Sequence, residues 1–316
     1  MKAILQDRYG PPDVLRLEDI DTPEAGDDQV LIRVHAASVN PADWHMMRGE
    51  PWIMRLGTGL RRPKDAVRGL DVAGTIEAVG RNVKDTRRGD DVFGVAKGSF
   101  AEHAVAKEGQ LAPKPEGLTF EQAASVPVGG IAAIQALRDV AKVQPGQRVL
   151  ISGASGGVGT FAVQIAKDMG AHVTGVCSTG NLDLVRSLGA DHVIDYTKED
   201  FTRAEDRYDL ILYNAGAHSL LDCRRALTPR GTLIPNSGDA GVGPFIGAPI
   251  VSMFVRQKFR PYLAKENRAD LVALKELIES GKVKPVIDRT YSLEDVPEAM
   301  RYLERRHARG KVIIKV

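Results

Sequence analysis

The chain has 316 residues, 43% of them hydrophobic, which suits two domains of roughly 100–200 residues each with cores of their own. Its 43 basic and 41 acidic residues leave a net charge of +2, a balance that argues against nucleic acid or an anionic membrane as the principal partner. No apolar run approaches the roughly 20 residues needed to span a bilayer. The start Met1-Lys2-Ala3-Ile4-Leu5 turns polar at Gln6 with no export signal, and Cys177 and Cys223 are too few for a disulfide framework, so a reducing, cytoplasmic location is expected.

In chain order, the first third reads as β-rich. Gln29 to Ala36 alternates polar and apolar residues as a half-buried strand does, and Asp71 to Val79, Asp91 to Val95 and Phe100 to Val105 read as further strands. Gly80, Gly89-Asp90 and Gly94 punctuate them. The character changes near residue 120, where Thr119 and Gln122 have the spacing of a capping box. From Arg148 onward strands and helices alternate: strands at 148–152, 172–177, 193–194, 208–214 and 231–236, and helices at 158–169, 181–188 and 220–227. That rhythm predicts an α/β domain with a parallel sheet covered on both faces. An amphipathic helix is predicted over 268–280, another from Leu293 to Arg305 capped by Ser292, and a closing strand over 311–316.

One loop carries the chemistry. The strand Arg148-Val149-Leu150-Ile151-Ser152 runs into Gly153-Ala154-Ser155-Gly156-Gly157-Val158-Gly159, and a helix opens at once. A pyrophosphate needs backbone N–H donors, the positive end of a helix and room for close approach, and glycines supply the room. The spacing is shifted from the usual dinucleotide fingerprint, but the strand–loop–helix context fits it. The competing reading is a tight turn packing helix on sheet. The next strand ends Gly175-Val176-Cys177-Ser178-Thr179-Gly180-Asn181, with no carboxylate before Asp183. The acid that would hold an adenosine ribose in an NAD site is missing, and small hydroxyl residues leave space for a 2′-phosphate. NADPH is therefore expected, with NADH kept open.

These features together resemble the medium-chain dehydrogenase/reductase superfamily, specifically its zinc-independent quinone oxidoreductase (zeta-crystallin-like) branch. The resemblance covers essentially the whole chain. It rests on Ser38-Val39-Asn40-Pro41-Ala42-Asp43, Gly69-Leu70-Asp71-Val72-Ala73-Gly74, Gly89-Asp90-Asp91-Val92-Phe93-Gly94, the loop from Ala154 to Gly159, Leu188-Gly189-Ala190-Asp191 and Gly310-Lys311-Val312-Ile313-Ile314. It implies a GroES-like β-rich catalytic domain formed by residues 1–122 and 269–316. A Rossmann-type doubly wound domain, residues 123–268, would be inserted between them, with the active site in the cleft and a homodimer as the assembly.

Residue by residue, the resemblance implies Asn40 near the nicotinamide and Ser155, Gly156, Gly157, Val158 and Gly159 around the pyrophosphate. Ser178, Asn181 and Tyr196 would surround the adenosine phosphate, Asn214 and Ala215 would lie near the ribose, and Arg306 would approach the 2′-phosphate. Asn40, Asp43 and His45 become the catalytic candidates, with His45 as a proton donor, and Trp44 and Trp52 the candidates for a substrate pocket. The bland readings are a surface His45 and ordinary packing of Trp52, Ile53 and Met54. The chain departs from the family in having no basic residue at Gly180 or Asn181, and in Ala132, where a hydroxyl residue is common.

Zinc is not expected. Where the zinc enzymes of the superfamily have a cysteine this chain has Asn40, and their Gly-His-Glu becomes Gly69-Leu70-Asp71. His35 and His103 read as structural strand residues. Without a metal to acidify a hydroxyl, hydride transfer to an electron-poor quinone or α,β-unsaturated carbonyl is the easier reaction. The alternatives are a metal-free NAD(P)-dependent alcohol dehydrogenase and a non-catalytic NADPH-binding protein.

Overall fold

Alternation along Gln29–Val39 buries Val30, Ile32, Val34 and Ala36, the even positions of an eleven-residue strand. The computed structural model that shows this describes residues 1–216, 218–236, 247, 252, 255–305 and 308–316. Two units emerge, one of residues 1–131, 265–281 and 285–316, the other of residues 132–264 and 282–284. No helix among the described residues is long and apolar enough to cross a membrane.

The first unit opens with β1 (Lys2–Gln6) paired antiparallel to β2 (Leu15–Asp19). There follow β3 (Gln29–Val39), α1 (Pro41–Arg48), α2 (Arg55–Thr58), β4 (Asp71–Val79), β5 (Asp91–Val95), β6 (His103–Lys107), β7 (Leu111–Pro113), α3 (Phe120–Ala124) and α4 (Pro127–Ile134). The expected capping box forms at α3: Gln122 N donates to Thr119 Oγ1 at 3.3 Å, and Thr119 N to Gln122 Oε1 at 3.0 Å.

In the second unit β8 (Arg148–Ser152), α5 (Gly157–Asp168), β9 (His172–Cys177), α6 (Leu182–Ser187), β10 (His192–Asp195), β11 (Tyr208–Tyr213), α7 (Leu220–Arg225), β12 (Leu227–Pro235) and β13 (Lys258–Phe259) alternate as the apolar runs predict. The strands form one parallel sheet in the order β10-β9-β8-β11-β12-β13. The chain winds outward from β8 to β10, then returns to the other side of β8 at β11. The reversal falls between β8 and β11, and a ligand site belongs at the carboxyl ends of strands at such a switch point. Leu150, Val176, Ile194, Ile211 and Leu233 bury the sheet, with Tyr208 and Phe201 beside them.

The chain then rejoins the first unit through α8 (Arg268–Glu279), β14 (Ile287–Ser292), α9 (Val296–Glu304) and β15 (Lys311–Lys315). Its sheet runs β14-β15-β3-β4-β5-β7, with β6 also on β3. One core joins Ile4, Val39, Met47, Phe100, Met300 and Ile314, so both ends of the sequence are packed into it. A second gathers Val30, Ile32, Val72, Ile76 and Leu111.

Three local expectations are corrected. Ser292 closes β14 and does not cap α9; its Oγ donates to Asp295 Oδ2 at 2.6 Å, and the helix starts at Val296 with Pro297 in its first turn. The strand expected from Phe100 begins at His103. The strand expected from Gly231 begins at Leu227.

Candidate functional site

The register of the first unit brings three strand ends together. Ser38 pairs with Asp71 across β3 and β4, and Val39 pairs with Val312 across β3 and β15, which sets Lys311 opposite Asn40. All four side chains are buried, with 3% or less of Ser38, Asn40, Asp71 and Lys311 exposed. Lys311 Nζ lies 3.0 Å from Asp71 Oδ2 and also donates to Asn40 Oδ1. Asn40 Nδ2 donates to Asp71 Oδ2 at 2.9 Å and to the Ser38 carbonyl at 3.3 Å, and Ser38 Oγ donates to Asp71 Oδ2 at 2.6 Å. The first turn of α4 contributes Val128 N, which donates to Asp71 Oδ1 at 2.9 Å. Each charge is thus paired and hydrogen-bonded, the condition on which a buried ion pair is tolerated. The Asn40 amide is held on both sides, so its chemistry is that of a positioning group.

Asp43, on the first turn of α1, is the less settled charge. Its Oδ2 accepts from Asn40 N at 2.9 Å, while Oδ1 is buried with no partner. Burial, and then the Asp71 charge, push its pKa up from 3.8 to about 7. Nearby Arg68 is also buried. Its terminal nitrogen donates to the Asp65 carbonyl, its Nε has no partner, and burial lowers its pKa.

The other candidates on this segment lie apart from the buried group. Trp44 Nε1 donates to Glu304 Oε1 of α9 at 2.8 Å, and Arg48 reaches the same oxygen while its guanidinium lies 5.5 Å from the Trp44 ring centre. Trp44 is therefore a clasp between α1 and α9. His45 Nδ1 lies 2.8 Å from the Glu50 carbonyl, so Nδ1 carries the hydrogen and Nε2 is the basic nitrogen. Trp52 is 67% exposed.

In the second unit the remaining candidates gather at the carboxyl end of the parallel sheet. Gly153, with φ +63°, turns the chain out of β8; a Cβ there would lie 2.9 Å from the Ala215 side chain. At Gly159 a Cβ would lie 2.1 Å from Gly153 O, so any side chain would force α5 away from its loop. The first-turn amides of the twelve-residue α5 have no intrahelical acceptor and remain donors. Asn181 Nδ2 donates to Ser155 Oγ at 3.1 Å and Ser178 Oγ at 3.2 Å, while its Oδ1 is buried with no partner. That orphaned acceptor and the open cradle of Ser155, Gly156, Gly157, Val158 and Gly159 fit a dinucleotide. Asn214 Nδ2 donates to the Ser152 carbonyl at 3.1 Å, and Ala215 N to Ser152 Oγ at 3.2 Å. Tyr196, just past β10, is 58% exposed. Arg306 lies outside the described residues.

The metal donors are absorbed elsewhere. His35 Nε2 lies 3.0 Å from Thr75 Oγ1 and His103 Nε2 lies 2.7 Å from Glu77 Oε2. Among the described residues no group of three or more His, Cys, Asp or Glu side chains is placed to hold a metal ion. Cys177 is buried and burial pushes its thiol up to about 11, which leaves it unreactive near neutrality.

Two predictions follow from the buried charges. Lys311→Met leaves Asp71 as an uncompensated buried carboxylate and should destabilise the protein by about 3–5 kcal/mol in urea denaturation. Adding Asp71→Asn should recover part of it, whereas a loss below about 1 kcal/mol for Lys311→Met would contradict the arrangement. Asp43 has a folded pKa above its ordinary 3.8, so the stability it contributes is full below that value and is lost as pH rises through about 7. Against Asp43→Asn as reference, the native protein should lose on the order of 4 kcal/mol over that interval, and parallel stability profiles would refute the assignment.

Comparison with known proteins agrees with both units. Residues 26–116 match the alcohol dehydrogenase GroES-like domain, and residues 188–314 match the zinc-binding dehydrogenase family. The mitochondrial NAD(P)H oxidoreductase RTN4IP1 of Mus musculus is 35% identical over 100% of this chain and 89% of its own. The chloroplastic NADPH-dependent alkenal/one oxidoreductase of Arabidopsis thaliana is 35% identical over 99% of this chain and 79% of its own. The solved quinone oxidoreductase of Coxiella burnetii is 32% identical, with a TM-score of 0.91 over 100% of this chain and 99% of that one. The chain belongs to the medium-chain dehydrogenase/reductase superfamily, among its quinone and enone oxidoreductases.

Proposed function

We propose that the protein is an NADPH-dependent reductase of quinones or α,β-unsaturated carbonyls that works without a metal. The observation that carries the metal-free part is Lys311. Its ammonium is bound to Asn40 and Asp71, where the zinc enzymes of the superfamily have ligands. An amide already held on both sides, a leucine at position 70 and a carboxylate neutralised by lysine are no tetrahedral zinc set. NADPH, when bound, supplies a hydride. The amides of Ser155, Gly157, Val158 and Gly159 would hold its pyrophosphate, while Gly156 N donates to the Gly153 carbonyl at 3.0 Å and shapes the loop; Ser178, Asn181 and Tyr196 lie toward the adenosine in this reading, and Asn214 and Ala215 follow β11. A conjugated acceptor is already electron-poor at the carbon that takes hydride, so a polar, metal-free environment can stabilise the resulting anion. The relatives named for alkenals, enones and quinones support this acceptor class.

The same reading includes a reducing, cytoplasmic setting, which the two buried unpaired thiols Cys177 and Cys223 suit. It also includes a homodimer through β13, whose outer edge has no partner strand among the described residues.

The test is loss of nicotinamide absorbance in chelator-treated buffer, with NADPH and NADH in parallel against ortho-quinones, para-quinones and linear enones. Turnover that prefers NADPH and survives chelation is the expected result. Activity lost on chelation and restored by zinc would overturn the metal-free mechanism. Tight NADPH binding with no acceptor reduced, or steady oxidation of alcohols alone, would move the binding-protein or alcohol dehydrogenase reading ahead.

A further inference from the structure

The carboxylate missing from the end of β9 has a counterpart one strand further out. Asp195, the last residue of β10, pairs in register with Cys177, the last of β9. An acid at this level of a dinucleotide fold would be suspected of holding a ribose diol and favouring NADH. The hydrogen bonds of Asp195 argue otherwise. Its Oδ2 accepts from Thr179 Oγ1 at 2.6 Å, and its Oδ1 accepts from Thr197 N at 3.0 Å and Thr197 Oγ1 at 2.7 Å. The Lys198 ammonium stands 3.6 Å from Oδ2. A carboxylate has about four acceptor positions, and here they face these groups. The side chain is 6% exposed, and the Thr179 hydroxyl, followed by the Thr197 donors, holds its pKa down to about 2.

Asp195 therefore joins the loop after β9 to the loop after β10. The first loop contributes Ser178, Thr179 and Asn181, the second Tyr196, Thr197 and Lys198. The Thr179 and Thr197 hydroxyls, each giving its hydrogen to Asp195, lie 3.2 Å apart, and Tyr196 N donates to the Cys177 carbonyl at 3.1 Å as a second link. Lys198 differs from the groups that link the loops. Its side chain is 67% exposed, and its ammonium lies beyond hydrogen-bond distance of Asp195, so its three donors remain open to a ligand. No basic residue occurs over 178–181, and Arg186 on α6 is engaged with Asp183 at 2.9 Å.

We propose that Lys198 supplies a positive charge to the 2′-phosphate of NADPH and favours NADPH over NADH, with Asp195 fixing the two-loop junction on which it stands. The proposal rests on the assignment of this sheet end to the nucleotide. It differs from the family pattern in taking the cation from the loop after β10 rather than from position 180 or 181.

The test uses the full chain and ligands that need no turnover. Adenosine 2′,5′-bisphosphate and 5′-AMP are titrated calorimetrically against the native protein, Lys198→Met and Lys198→Arg. The native protein should bind the bisphosphate more tightly. Lys198→Met should weaken the bisphosphate about tenfold, the effect of one charge-assisted contact, while 5′-AMP changes less than about twofold. Lys198→Arg should recover most of the difference. Equal affinity of the native protein for the two ligands would overturn the proposal, as would an equal loss of both in Lys198→Met or no loss of either. None of these results depends on an acceptor being reduced, so failure here is distinguishable from failure of the reductase assignment.

Discussion

The ammonium of Lys311 is the constraint on which the first unit depends. A lysine buried to this degree is tolerated only when it is paired, and the fold supplies its partners from two separate stretches of chain, Asn40 and Asp71. Asn40 follows the end of β3, Asp71 opens β4 and Lys311 opens β15, and the sheet register leaves them no other place to meet. The last strand is thereby fixed against the first third of the sequence by charge as well as by the apolar packing of Val312 and Ile314. An ion pair held this way adds little net stability compared with a well-packed apolar substitute, but breaking it is costly. Its more useful product is uniqueness of geometry, since Asn40, Ser38 and the start of α4 are all oriented by the same carboxylate.

The second unit solves a different problem. Its parallel sheet ends in a loop where side chains are excluded by the backbone itself, at Gly159 against Gly153 O, so that helix amides stay accessible. Around that loop, short polar side chains hold one another and leave one buried acceptor, Asn181 Oδ1, unmatched. Around Asp71 the polar groups are paired to hold strands together; beside the glycine loop an acceptor is left open at a strand end. That contrast is what is expected of a scaffold and of a ligand cradle respectively.

Much of the second unit was legible because each buried strand is a short apolar run with glycine or a polar turn on either side, and Arg148–Ser152 and His172–Cys177 end where the residues say they do. The first unit was legible where alternation is clean, as at Gln29–Val39, and opaque elsewhere. Helix α1 carries Asp43, Trp44, His45 and Arg48 with no apolar stripe, and the strand Ile287–Ser292 is only half-buried, so neither has a periodic signature. Asn40 and Asp43 stood out through the motif around them. Lys311 stood only inside the closing motif, because a lysine before an apolar strand reads as a solvent-facing end, and its partners lie 271 and 240 residues earlier in the chain. Asp195 has no signal of its own in the sequence, because the acid of a ribose site is expected at the end of the strand carrying Cys177. The pairing of β10 with β9, a tertiary fact, is what brings it to that level.

The central claim is that this chain passes a hydride from NADPH directly to a conjugated acceptor. The most direct measurement is transfer of label: NADPH carrying deuterium at both C4 positions is turned over with a linear enone in chelator-treated buffer, and the saturated ketone is analysed by mass spectrometry and NMR. One deuterium on the carbon β to the carbonyl, with the second new hydrogen drawn from solvent, is the predicted result. A reduced product without deuterium at that carbon, or with deuterium on a carbinol carbon, would contradict the account.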